Sequence, residues 1–167
     1  QKVLKFNIYD QIIISSNSNE KKLSHFINSL DNNKICFYQQ QENVGLAQNY
    51  LKVIELCDSK YLHIISDEDF PNEKNTKELY RILDSNPSTS NIVLTIHDQH
   101  NKIYKDATWQ KHDYLVNPLG ETTHIGSNII NNDMLGKLEI NLLSNYCERE
   151  GSCYVTAAAA LLTYSVG

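Results

Sequence analysis

Short apolar blocks alternate with longer stretches in which apolar residues recur at helical spacing, from residue 12 to residue 96. Ile12 to Ile14, after the polar Tyr9-Asp10-Gln11, has the unbroken bulk of a buried strand. Ser15-Ser16-Asn17-Ser18 ends it. Asn17 and Glu20 stand at the spacing of a helix cap, and Leu23, Phe26, Ile27 and Leu30 then repeat along one helical face. Asp31-Asn32-Asn33 closes that helix, and Ile35 to Tyr38 supplies a second strand. Beyond Gly45, the residues Ala47, Tyr50, Leu51, Ile54 and Cys57 mark the inner face of a second helix. Tyr61, Leu62, Ile64 and Ile65 then read as a third strand. Leu79, Ile82 and Leu83 belong to a third helix that runs to the Asn86-Pro87 breaker, and Ile92 to Ile96 form a fourth strand.

Strand-helix alternation of this kind predicts an α/β domain of three layers with a mostly parallel central sheet. Past His97 the texture changes. Ile103-Tyr104, Trp109 and Tyr114-Leu115 are apolar islands among polar residues, which predicts irregular or short antiparallel structure. His124 to Ile130 reads as a further strand, the region after Asn132 as helix, and Tyr154 to Tyr164, with four consecutive alanines, as a closely packed helix. Two parts of one domain follow: residues 1-98, and a smaller part over 99-167.

A length of 167 residues suits a single domain with a real core. The 41% hydrophobic and 21% charged content is that of a globular protein, and a net charge of -5 argues against wholesale binding to nucleic acid or to an anionic membrane. No apolar stretch reaches the length of a membrane span, and no basic-then-apolar leader opens the chain. The first residue is Gln, so the sequence reads as a piece of a longer protein. Cys36, Cys57, Cys147 and Cys153 show no zinc-ligand spacing, which favours reduced, packed thiols and a cytosolic setting.

Two stretches carry candidate chemistry. At Lys60 to Pro71 an apolar strand runs into Asp67-Glu68-Asp69, and open α/β sheets bind their ligands beyond the carboxyl ends of strands. Asp67 and Asp69, one residue apart on such a turn, can hold a hard divalent cation, which can in turn hold a phosphate. Alternatively, Asp69 caps a helix beginning near Pro71. Gln41 to Asn49 is the other stretch. Gly45 after Asn43 either lets backbone approach a ligand or simply turns the chain, and its place one helix before the acidic turn lets both loops open on one edge of the sheet.

Taken together, the order IIISSNS, ENVGLAQN, YLHIISDEDFP resembles the nucleotide-sugar-binding part of family-2 glycosyltransferases, which have the GT-A fold and build bacterial capsule, lipopolysaccharide and other glycans. The resemblance covers Ile12 to about Pro71. It implies that Ser16 and Asn17 end the family's second strand, with Ser16 where an acid is usual, and that Glu42, Asn43, Gly45 and Asn49 lie near the nucleotide. It also gives Asp67 and Glu68 a role in holding the nucleotide sugar, and Asp67 and Asp69 a role in holding Mg2+ or Mn2+. The family's opening strand is missing, and QKVLKFN resembles the end of the helix that would follow it, so the chain reads as truncated at both ends.

The implied reaction is metal-dependent, inverting transfer of a sugar from a nucleoside diphosphate sugar, foremost a UDP-sugar, to a glycan or lipid-linked acceptor of the bacterial surface. For the catalytic base the resemblance points to Glu148 or Glu150 in CEREGS, although a solvated charged turn explains them equally well. His124, on the acceptor-side strand, either meets the acceptor or is an ordinary strand histidine. Trp109-Gln110 does not reproduce the Gln-x-x-Arg-Trp motif of processive members, which implies addition of a single sugar. No nucleic acid is expected as partner. The implied location is the cytoplasm, with attachment to the inner membrane face open through missing segments. The alternative is a non-catalytic module, derived from a transferase, that binds a nucleotide sugar or a protein. A phosphatase with an Asp-x-Asp nucleophile is disfavoured, because Phe70-Pro71 follow the acids.

Overall fold

The computed structural model describes residues 4–5, 8–66, 71, 73–87, 91–93 and 128–150. Within them the chain forms β1 (Ile12–Ser16), α1 (Lys21–Ser29), β2 (Ile35–Gln39), α2 (Gly45–Glu55), β3 (Tyr61–His63), α3 (Glu73–Ser85), β4 (Asn91–Val93), β5 (Asn128–Asn131) and α4 (Asn132–Glu150). The expected strand-helix order up to β4 is present, and the class is α/β.

The strands pair in two groups. β1 and β2 run parallel, with Ile12 opposite Ile35 and Ser16 opposite Gln39. β5 lies between β3 and β4 and is antiparallel to both. The single, mostly parallel sheet expected from alternation is therefore not what these pairings make. The physical reason is β5: it lies beyond the stretch over which strands and helices alternate in the sequence, so that alternation does not fix its direction. It comes from the 99-167 part yet pairs with two strands of the 1-98 part, so both parts contribute to one sheet.

The core gathers around α2. Tyr50, Leu51 and Ile54 recur at helical spacing and are buried with Cys57, Leu62, Ile64, Ile130, Leu135 and Leu143. Each such side chain contributes about 1.5–3 kcal/mol through its removal from water. The helix packs on β1 and on α4. Polar ties fix its far end: Gln11 donates from Nε2 to the Leu56 carbonyl at 3.4 Å and accepts at Oε1 from the Asp58 N–H at 3.2 Å. Asn132 does the same for α4, donating from its backbone N–H to the Lys60 carbonyl at 2.7 Å and from Nδ2 to the Cys57 carbonyl at 3.0 Å. α4 is kinked at Gly136, whose φ of 58° suits a residue without Cβ.

Two local expectations change. α1 begins at Lys21 with Glu20 in the capping position and no side-chain cap, so Asn17 does not start this helix. Of the expected inner face, Ile27 is buried but Phe26 is 46% exposed; on α3, Ile82 is 44% exposed and Thr76 is the buried residue. Both helices lie where one or two buried positions suffice, so helical spacing overstates their contact. The helix expected over Tyr154 to Tyr164 and the islands between Ile103 and Leu115 lie outside the described residues.

Candidate functional site

At the carboxyl ends of β1 and β2 the chain makes two polar turns, and β1's turn meets the start of α2. Asn17, the first residue after β1, donates from Nδ2 to Asn43 Oδ1 at 2.8 Å and accepts at Oδ1 from the Val44 N–H at 2.9 Å. Asn43 Oδ1 also accepts from the Gly45 N–H at 2.9 Å. Two asparagines 26 residues apart thus share a hydrogen bond and satisfy two backbone donors at the entry of α2.

One turn into the helix, Asn49 faces back onto β1. Its Oδ1 accepts from Ser15 Oγ at 2.7 Å, and its Nδ2 donates to the Ser15 carbonyl at 3.3 Å. Ser16, 7% exposed, turns its hydroxyl inward, where Oγ donates to the Ser18 carbonyl at 3.2 Å and accepts from the Ser18 N–H at 3.4 Å. Gln39, at the end of β2, donates from Nε2 to that same carbonyl at 3.0 Å.

Gly45 has a backbone requirement rather than a spatial one. Its φ is +80°, while a Cβ built on it would meet no atom within 4 Å. An L side chain there would suffer from the left-handed backbone alone, at a cost of roughly 1–2 kcal/mol. With no acid in the first turn of α2, the partial positive charge of the helix start is not offset from within the helix.

Of the residues singled out in the sequence, Ser16, Asn17, Asn43, Gly45 and Asn49 are brought together by these contacts, and Glu42 is exposed just before them. Asp67, Glu68 and Asp69 lie outside the described residues, between Ser66 and Pro71, as does His124. Glu148 and Glu150 fall on the last turn of α4, and their side chains lie outside the described residues. Among the described residues no group of three His, Cys, Asp or Glu could hold a metal ion. Ser15, Ser18 and Gln39 also take part, and none of them stood out in the sequence. Ser15 had a usable signal, since a serine ending a strand beside a helix with Asn49 one turn in can bond across.

Two perturbed groups lie at the other end of the strands. Burial pushes the Cys57 thiol up from its ordinary 9.0, although a hydrogen bond with the Ser59 backbone pulls the other way. The Tyr61 phenol is also raised, first by burial and then by the negative charge of Asp133. Asp133 opens α4, and the Asn132 bond to Lys60 sets it beside the amino end of β3, the end opposite to the one from which the acidic turn leaves.

A parallel β-strand pair that ends in asparagine-locked turns at a helix start is an arrangement suited to binding a phosphorylated ligand beyond the strand ends. The model for glycosyl transferase family 2 matches residues 2–137 of the chain. The chain belongs to glycosyl transferase family 2, and by that membership it is a glycosyltransferase whose function is glycosyl transfer. No curated protein matches it. Membership implies a nucleotide-sugar donor and an acceptor, and members of the family are often dependent on a divalent metal. Among the described residues no helix is long and apolar enough to cross a membrane.

Proposed function

We propose that the chain performs metal-dependent, inverting transfer of a sugar from a nucleoside diphosphate sugar, a UDP-sugar foremost, to a glycan or lipid-linked acceptor in bacterial surface polysaccharide synthesis. The observation that carries this reading is the Asn17–Asn43 lock, because it joins two of the three motif loops at one strand edge. The family match supports the donor class.

In this reading the nucleotide lies against Ser16, Asn17, Asn43, Gly45 and Asn49, and Asp67 and Glu68 help to hold the nucleotide sugar. When held by Asp67 and Asp69, Mg2+ or Mn2+ supplies positive charge against the departing diphosphate. The acceptor hydroxyl oxygen bonds to the anomeric carbon as the bond from that carbon to the diphosphate oxygen breaks. The hydroxyl proton passes to a carboxylate, Glu148 or Glu150, and His124 contacts the acceptor. The protein works in the cytoplasm or on the inner face of the membrane.

A second reading, a non-catalytic module that binds a nucleotide sugar or a protein, draws on Ser16. A serine stands where relatives carry an acid, and its hydroxyl is committed to its own turn. One experiment separates the two. The chain is incubated with UDP-sugars and Mn2+, and released UDP is measured alongside UDP binding. The transferase reading expects metal-dependent binding and turnover, both abolished in Asp69→Ala. Metal-dependent binding with no release of UDP from any donor supports the module, and binding without metal dependence defeats the transferase reading.

A further inference from the structure

We propose that the outer edge of β2 pairs with the same edge of a second copy of the chain, antiparallel and about a two-fold axis at Phe37, so that the β1–β2 sheets of two molecules become one. The Ile12 N–H donates to the Lys34 carbonyl at 2.8 Å, and the Ser16 carbonyl accepts from the Gln40 N–H at 2.9 Å. With Ile12 opposite Ile35 and Ser16 opposite Gln39, the parallel ladder takes the backbone groups of Cys36 and Tyr38 to β1 and leaves those of Ile35, Phe37 and Gln39 on the outer side. No described strand lies there.

Natural sheets guard such an edge with charge, proline, a bulge or a covering element, because an open row of peptide groups is a template for another chain. β2 carries none of the first three: its five residues are Ile-Cys-Phe-Tyr-Gln, and its pairing with β1 is regular throughout. The uncharged run continues through Gln41. A strand of this composition, with neither charge nor proline, has the character of segments that add to one another edge to edge. α1, the helix packed on β2, leaves Phe26 46% exposed. An unguarded edge under a helix that exposes an aromatic side chain suits a protein partner better than water.

Symmetry selects a second copy as that partner. Phe37 is the middle residue of β2. About an axis at that residue, each Phe37 N–H meets the Phe37 carbonyl of the other copy, and each Gln39 N–H meets the other copy's Ile35 carbonyl. The remaining outward donor, the Ile35 N–H, already bonds the Asn32 carbonyl at 3.0 Å. Charge agrees with this register. No residue from Ile35 to Gln41 is charged, and Lys34 comes opposite Gln40 of the second copy, so the pairing sets no like charges face to face. The two β2 strands run in opposite directions, so the asparagine-locked turns at their carboxyl ends open at opposite ends of the joined sheet.

The test uses the whole chain, with sedimentation equilibrium and amide hydrogen exchange in dilute and concentrated samples. Expected are reversible dimers and, in the concentrated sample, at least tenfold slower exchange at the Phe37 and Gln39 amides, while the Cys36 and Tyr38 amides, bonded to β1, are equally protected in both. Phe37→Pro removes an outward donor and none of the ladder to β1, so it should weaken the dimer at least tenfold while the side-chain amide resonances of Asn17 and Asn43 stay in place. Phe37→Glu and Phe37→Gln are alike in size but should differ. Two carboxylates meet across the axis in the first, so its dimer should be at least tenfold weaker at neutral pH than that of the second. A monomer at every concentration overturns the proposal, as does a dimer without added protection at Phe37 and Gln39. So does protection of those amides that dilution does not change, which assigns the edge to the chain itself, or equal dimerisation of the glutamate and glutamine variants.

Discussion

Removing the Asn43 side chain tests whether the two turns are energetically one unit. Asn43→Ala deletes the acceptor shared by Asn17 Nδ2 at 2.8 Å and the Gly45 N–H at 2.9 Å. A net hydrogen bond is worth about 0.5–1.5 kcal/mol, and Asn43 is exposed, so both bonds fall at the low end and the expected loss is about 1–2 kcal/mol. Asn17→Ala deletes the same shared bond together with the one from the Val44 N–H, and should cost a similar amount. Because one bond is counted in both single variants, the double variant should lose less than the sum of the singles. The difference is about 0.5–1 kcal/mol, within the range measured for residues in direct contact. Urea unfolding of the four proteins, with a common slope, reads these values directly. Strict additivity would mean that the two asparagines do not interact in the folded chain.

Other consequences are open to direct measurement. Gly45→Ala should lower stability by roughly 1–2 kcal/mol because φ is +80°, although alanine is the better helix former; a rise in stability would show that this backbone is not left-handed in solution. For a domain of this size that loss lowers the melting temperature by about 2–4 °C per kcal/mol. The thiol of Cys57 and the phenols of Tyr9 and Tyr61 all have raised values in the folded chain, burial being the first cause in each. The unfolded chain therefore releases these protons at lower pH than the folded one, so this stabilisation is intact below the ordinary thiol value of 9.0 and is lost as pH rises through the folded values. Denaturation midpoints taken between pH 8 and 11 should fall with pH, and Cys57→Ala should flatten the earliest part of the decline. The same burial predicts that a thiol reagent at neutral pH modifies Cys57 in the folded chain far more slowly than in the unfolded one, as mass spectrometry would read.

Local pattern made β1, β2, α2 and the inner face of α2 legible, because each is set by a short run of side chains and a turn that stops it. Tyr50, Leu51, Ile54 and Cys57, expected on one face, are all buried. The site was half legible. Asn17, Asn43, Gly45 and Asn49 could be singled out by type and spacing, yet Asn17 reads locally as a cap for α1. Its real partners lie 26 and 27 residues away, and a contact across that separation depends on how β1 and α2 pack. The direction of β5 was illegible for a related reason: antiparallel insertion between β3 and β4 leaves no periodic mark on the strand itself. Sequence spacing also spread the apolar faces of α1 and α3 wider than burial does, since Phe26 and Ile82 satisfy the period without meeting the core.

In the proposed function a nucleoside diphosphate rests where the turn after β1 meets the start of α2. Titrating isotope-labelled protein with UDP in the presence of Mg2+, and following amide resonances, tests it most directly. Expected are saturable shifts at the Gly45 backbone amide and at the side-chain amides of Asn17, Asn43 and Asn49, much reduced when the cation is withheld. Shifts confined to residues away from this turn, such as Tyr61, Leu79 and Leu83, or no shifts at any UDP concentration, would rule the site out.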